Sequence, residues 1–102
     1  MDIQYKIVDS IMNVKLCGEL DEYTANYTRT YLDDLFSNND FSQAIIDLAD
    51  LDFMDSTGIG VLIGRYKKLR NRHTPIFIAN PNNHIEKIFR MSGLYEIMPK
   101  IV

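Results

Sequence analysis

Three times along the chain a run with strand-like spacing of apolar residues gives way to a run with helical spacing. Ile3 to Val8 and Ile11 to Cys17 read as two strands joined by a tight turn at Asp9-Ser10, with Met12, Val14 and Leu16 sharing one parity. Gly18 closes that run. Asp21 then offers an N-cap for a helix to about Phe36, on which Thr28, Tyr31, Leu32 and Leu35 make the apolar stripe, and Asn38-Asn39-Asp40 ends it. Ala44 to Leu48 is apolar enough for a central strand covered on both faces, followed by a short acidic turn. The second helix is expected from Ser56 to about Arg72, with Ile59, Leu62, Ile63, Tyr66 and Leu69 facing the sheet. A strand over Ile76 to Ala79, a turn at Asn80-Pro81-Asn82 and a third helix from about Asn83 to Met91 follow. Ile85, Ile88 and Phe89 are its buried face, and Gly93 is its C-terminal glycine. Ile97 to Val102 adds a short edge strand, the one kind that tolerates Pro99. The order β-β-α-β-α-β-α(-β) specifies an α/β fold, a single domain over residues 1–102 with a mixed sheet flanked by three to four helices.

The second helix breaks a rule of its own kind. Gly60 and Gly64 lie four apart on one side of it, about 120° from the apolar stripe at 100° per residue. Each costs roughly 1 kcal/mol relative to alanine in a helix interior. Facing outward beside Val61, they smooth a surface on which a partner can dock. In the alternative, the helix is rotated and the glycines touch a neighbouring element.

Composition narrows the class. The 102 residues suffice for one core, and 46% hydrophobic with 25% charged residues is ordinary for a soluble globular protein. No apolar run approaches the roughly 20 residues of a membrane span, and a lone Cys17 reads as a small buried residue of a reducing, cytoplasmic protein. The net charge of −3 hides an asymmetry: twelve acids and three bases up to Asp55, then two acids and eight bases. A chain negative overall is a poor nucleic-acid binder. The cations Arg65, Lys67, Lys68, Arg70 and Arg72 suit the C-terminal half of a helix, where the dipole favours them.

Ser56 is the residue with chemical potential, because a hydroxyl in the first turn of a helix meets unpartnered N–H groups and the positive dipole end. As a nucleophile it lacks the G-x-S-x-G surroundings, and the only histidines, His73 and His84, lie far along the chain. Gly58-Ile59-Gly60-Val61-Leu62-Ile63-Gly64 is one residue longer than the dinucleotide fingerprint and lacks a P-loop Lys-Ser/Thr pair, so nucleotide binding is a weaker reading. Asp47, Asp50, Asp52 and Asp55 fit no EF-hand spacing, and no metal is expected.

The segment Leu51 to Lys67, with Asp55-Ser56-Thr57-Gly58 at its centre, resembles the signature of the STAS family of anti-sigma factor antagonists. Gly18-Glu19-Leu20-Asp21 and Phe89-Arg90-Met91-Ser92-Gly93-Leu94 are similar to two further landmarks of that family. Gly64-Arg65-Tyr66-Lys67 and Met91-Ser92-Gly93-Leu94 resemble its sporulation branch, whereas Asp-Ser-Thr-Gly looks like its general-stress branch. The resemblance implies a sheet with helices mainly on one side and no catalysis of its own. An anti-sigma factor that is also an ATP-dependent serine kinase would phosphorylate Ser56 and bind only the unmodified form, releasing a sigma factor. A PP2C-type phosphatase would restore the serine. ATP is then the kinase's phosphate donor and this chain holds no cofactor. Asp21, Asp55 and Thr57 are expected to shape the phosphosite, and Gly58, Gly60, Val61 and Gly64 to form the docking patch of a monomer. The competing readings are a STAS module of another regulatory or carrier system, and a small nucleotide-binding protein.

Overall fold

The computed structural model describes residues 1–102. Strands β1 (Asp2–Val8) and β2 (Ile11–Leu20) form an antiparallel hairpin whose turn residues Asp9 and Ser10 take φ of 52° and 64°. Helix α1 (Ala25–Ser37) leads to β3 (Gln43–Asp47) and β4 (Leu51–Met54), then come α2 (Ser56–Asn71), β5 (Ile76–Ala79), α3 (Asn83–Ser92) and a 3-10 turn (Leu94–Glu96). The sheet runs β1-β2-β3-β5, and every pairing after the hairpin is parallel. Beyond β5 the tail makes a parallel bridge between Ile78 and Lys100, and the Ile78 N–H donates to the Pro99 carbonyl at 2.9 Å. Pro99 thus sits on an edge, where its missing N–H costs nothing.

The acidic turn expected after β3 is confined to Ala49 and Asp50, and an unforeseen strand, β4, follows it before α2. β2 does not stop at Gly18. That residue has φ +116°, the register shifts between Gly18 and Glu19, and the continuing strand pairs with β4 through Gly18–Leu51, Glu19–Phe53 and Leu20–Met54. β3 and β4 therefore lie end to end along the same edge of β2. The four residues of β4 bury their first and last members, a pattern without alternation, so only the bulged partner strand makes them a strand.

The central strand is covered on one face only. Ala44, Ile46 and Leu48 are buried, whereas Ile45 and Asp47 are half-exposed beside Asn13 and Lys15 of β2. The strand order explains this. From β2 to β3 to β5 to the tail the chain advances in one direction, and right-handed crossovers then place all three helices on the same face. Cys17 lies on the open face and is half-exposed rather than buried. Met12, Val14, Leu16, Leu32, Leu62, Leu69, Ile85 and Phe89 fill the space between the sheet and the helices.

Charged pairs fasten the periphery. Glu86 of α3 accepts from Tyr95 Oη at 2.5 Å and Arg90 Nε at 2.9 Å and pairs with Lys100 Nζ at 3.2 Å, so α3, the 3-10 turn and the tail share one anchor. The Tyr95 hydrogen bond, with those of the two cations, holds the Glu86 carboxyl down at about 2. A carboxyl depressed in the folded state contributes its stability above the ordinary carboxylate range and loses it as pH falls toward 2, so the anchor holds at every physiological pH.

Candidate functional site

The site is assembled where β4 passes into α2. Asp55 has extended backbone (φ −115°, ψ −169°), and its carboxylate accepts from the N–H groups of Thr57 at 2.9 Å and Gly58 at 3.1 Å. It is the N-cap of α2, satisfying two of the donors that a helix start leaves unpartnered. Ser56, the first helical residue, is exposed, and its hydroxyl takes no part in this capping network. Replacing Asp55 by alanine is expected to lower stability by about 1 kcal/mol (roughly 0.5–2) while leaving Ser56 exposed. Chemical denaturation of the variant checks the value.

Asp21 stands apart from this arrangement. It was expected to cap α1 and to help shape the phosphosite, but α1 begins after Thr24, and Asp21 Oδ1 accepts from the N–H groups of Tyr23 at 2.9 Å and Thr24 at 3.2 Å. Thr24 Oγ1 donates to the Glu19 carbonyl at 2.8 Å and closes the turn. Four residues of irregular chain, Asp21 to Thr24, intervene between the end of β2 and α1, so the acid caps this turn and not the helix. The turn still borders the site, because the Asp55 N–H donates to the Leu20 carbonyl at 3.4 Å. Thr57 contributes to the cap only through its N–H.

The expected docking patch divides. Gly60 and Gly64 do face outward, since a Cβ built on either would meet nothing within 4 Å. Gly58 does not: its Cβ would lie 2.6 Å from the Leu20 carbonyl oxygen and 2.6 Å from Met54 Cγ. It is a glycine because α2 starts hard against the ends of β2 and β4. Val61 is not exposed either, with 1% of its surface accessible. The buried face of α2 is Gly58, Val61, Leu62, Arg65 and Leu69, turned about 80° from the expected stripe at 100° per residue.

The face so turned inward includes a buried cation. Arg65 Nε lies 2.9 Å from Asp33 Oδ1 of α1, and Lys68 Nζ lies 2.8 Å from Asp33 Oδ2. Burial pushes the Arg65 guanidinium below its usual range and Asp33 pulls it back. Apolar periodicity gives such a residue to the solvent side. Arg72 is likewise spoken for, donating to the Phe36 carbonyl at the end of α1 with its guanidinium 4.7 Å from the Phe41 ring centroid. The basic run thus serves mainly to join α2 to α1.

Along the outer side of α2 runs a row: exposed Ser56, then exposed Gly60 roughly 6 Å along the axis, half-buried Gly64 at roughly 12 Å and exposed Lys67 at roughly 16 Å. Ile59 and Ile63, expected in the core, are only partly buried and flank this row. The sequence pattern missed them as surface residues because the rotation of α2 could not be foreseen. The Gly-x-Gly-x-x-x-Gly stretch is continuous helix, so past the first turn its N–H groups are committed to helical hydrogen bonds rather than free to cradle a phosphate. No three or more His, Cys, Asp or Glu side chains converge as metal ligands. No helix is long and apolar enough to cross a membrane.

Fold and site together define a small one-faced α/β domain that displays a serine hydroxyl at the start of a capped helix. The chain belongs to the STAS domain family, which matches it over residues 2–102. It is 34% identical over 89 residues to the anti-sigma F factor antagonist of Paenibacillus polymyxa, covering 87% of this chain and 76% of that protein. It is 30% identical over 98 residues to the anti-sigma-B factor antagonist of Listeria monocytogenes, covering 96% and 84%. The anti-sigma factor antagonist SpoIIAA in its unphosphorylated form superposes with a TM-score of 0.82 at 26% identity, covering 99% of this chain and 89% of that one. The phosphorylated form of SpoIIAA, a Bacillus cell fate determinant, gives 0.74 at 26% identity over 99% and 92%.

Proposed function

We propose that this chain is a cytoplasmic anti-sigma factor antagonist, a non-enzymatic switch set by phosphorylation of Ser56. In its unmodified form it docks on an anti-sigma factor that is also a serine kinase and holds a nucleotide, and the sigma factor is released. The kinase spends ATP to phosphorylate Ser56, and a PP2C-type phosphatase reverses the step. The observation that carries this reading is the exposed Ser56 hydroxyl, left out of the capping network, at the head of a row cleared by Gly60 and Gly64. Support comes from relatives named anti-sigma factor antagonists and from a structural neighbour solved with and without phosphate.

The electrostatics suit an on–off signal. A phosphate on Ser56 adds about −1.5 to −2 charges beside Asp55 and Asp52, at a helix start that tolerates it locally. The acceptor hydroxyl must approach the terminal phosphate of the kinase's nucleotide, so the same approach after transfer sets phosphate against phosphate. One pair of like unit charges at 4 Å costs about 4 kcal/mol at an effective dielectric of 20. About 2.8 kcal/mol already weakens binding a hundredfold.

Incubation with the anti-sigma kinase of the same organism and ATP is expected to raise the mass of this chain by one phosphate. Ser56→Ala is expected to take up none while still binding the kinase. A phosphate that persists in Ser56→Ala would move the site elsewhere.

A further inference from the structure

The two edges of the sheet are finished differently. Beside β5 the tail adds a short bridge that carries Pro99, and this blunts the edge. The opposite edge is β1, paired with β2 in unbroken register along its whole length, without proline or bulge. Every residue of β1 except Ile3 is exposed. Such an edge is a template on which another strand can pair.

The hairpin fixes which backbone groups this edge offers. Asp9 and Ser10 both have positive φ, the two-residue turn whose flanking pair, here Val8 and Ile11, exchanges both hydrogen bonds. Bonding then alternates along the strand. Lys6, Gln4 and Asp2 also bond to β2, whereas the N–H and C=O groups of Ile3, Tyr5 and Ile7 point away from it. None of those outward groups finds a partner elsewhere in the chain.

The side chains are sorted by face. Tyr5 and Ile7 share the inward parity of Ile3, yet they stay 48% and 37% exposed, so the helical layer leaves them uncovered. On the open face Asp2, Gln4 and Lys6 form a row, in which Gln4 Nε2 donates to Asp2 Oδ2 at 3.3 Å. Neither Asp2 nor Lys6 has an ion-pair partner in its own chain.

We propose that two copies of this chain pair through β1, antiparallel about a two-fold axis that passes Gln4 perpendicular to the sheet. The strand is complementary to itself in this register. Asp2 of each copy lies opposite Lys6 of the other, at non-hydrogen-bonded positions where side chains approach most closely. Ile3 lies opposite Tyr5 of the second copy, and their outward N–H and C=O groups bond on both sides of the axis. A register centred on Tyr5 sets Asp2 against Val8 instead, and one centred on Lys6 sets the two lysines against each other. The pairing joins two sheets into one with all helices on the same side, an isologous dimer in place of the monomer expected from the sequence. One strand edge is a small interface, so association is reversible. It shares no residue with the Ser56 row and does not depend on the Ser56 reading.

Sedimentation equilibrium of the full chain up to millimolar concentration is expected to show a monomer–dimer equilibrium. Asp2→Lys and Lys6→Asp are each expected to weaken it about thirtyfold, and the double exchange to restore it to within about threefold of the unaltered protein. Asp2→Lys makes the chain less negative and Lys6→Asp makes it more so, so a general charge effect would shift association in opposite directions. In a Cys17→Ser background, Gln4→Cys is expected to form an interchain disulfide under mild oxidation, because the two Cα atoms on the axis lie about 4.5 Å apart. Lys6→Cys is expected to form none, its two copies being roughly 13 Å apart. A monomer at every concentration overturns the proposal. So does a dimer that ignores both single charge changes, or one that the double exchange fails to restore.

Discussion

Ser56→Glu is expected to weaken binding to the nucleotide-loaded anti-sigma kinase by about a hundredfold or more, without destabilising the domain. The two halves of this expectation have different origins. An acid at the first helical position of α2 sits at the positive end of the dipole, where such contacts contribute about 0.3–1 kcal/mol, so the melting temperature holds or rises. Docking suffers because the new charge lies on an exposed surface next to Asp55 and must be desolvated against the phosphates of the partner's nucleotide. Titration calorimetry at two ionic strengths separates the effects. An electrostatic loss shrinks at high salt, whereas a loss from misfolding does not. Unchanged affinity in Ser56→Glu would remove the basis for a charge-operated switch at this residue.

The second large effect comes from putting one methyl group at each of two neighbouring glycines. Gly58→Ala forces a Cβ to within 2.6 Å of the Leu20 carbonyl oxygen, and that backbone atom is held by β2–β4 pairing and cannot swing aside. Overpacking of this kind costs about 1–3 kcal/mol, occasionally more, offset by the roughly 1 kcal/mol that alanine contributes to helix propensity. With two contacts at 2.6 Å the upper end of that range applies, a net loss of up to about 2 kcal/mol, or a melting temperature lower by up to about 8–16 °C in a domain of this size. Gly60→Ala meets nothing within 4 Å, so it is expected to stabilise the protein by up to about 1 kcal/mol. Yet it is also expected to weaken kinase binding, because the methyl stands in the row beside Ser56. Thermal melts and binding on the same two variants check both signs, and Gly60→Ala improving stability and affinity together would show that the row is not the docking surface.

These glycines show where sequence reasoning holds and where it ends. Spacing alone put Gly60 and Gly64 on the outside of α2, because helical geometry fixes their direction relative to Leu62 and Leu69 once the helix is granted. The same reasoning failed at Val61, since a helix of known face still has to choose its rotation. The rotation that the fold adopts buries Arg65 beside Asp33, a residue 32 positions earlier in the chain and out of reach of local patterning. β4 was missed for a related reason. Leu51 and Met54 become a strand only because β2 bulges at Gly18 and runs on to meet them. The Asp55 cap is a local matter open to sequence reasoning, because an acid just before a helix start satisfies N–H groups two and three residues away. Asp21 was not, since nothing local showed that three residues of turn would separate it from α1.

By itself, then, the sequence determined the order of the elements other than β4, the start of α2 at Ser56, and the outward glycines, all of which depend on residues within a turn or two of each other. Tertiary structure alone decided which flank of α2 stays open, the single covered face of the sheet, and the tight seat of Gly58. Each of these depends on groups far apart in the chain being desolvated together, and the energy of such an encounter is written in no single stretch of residues.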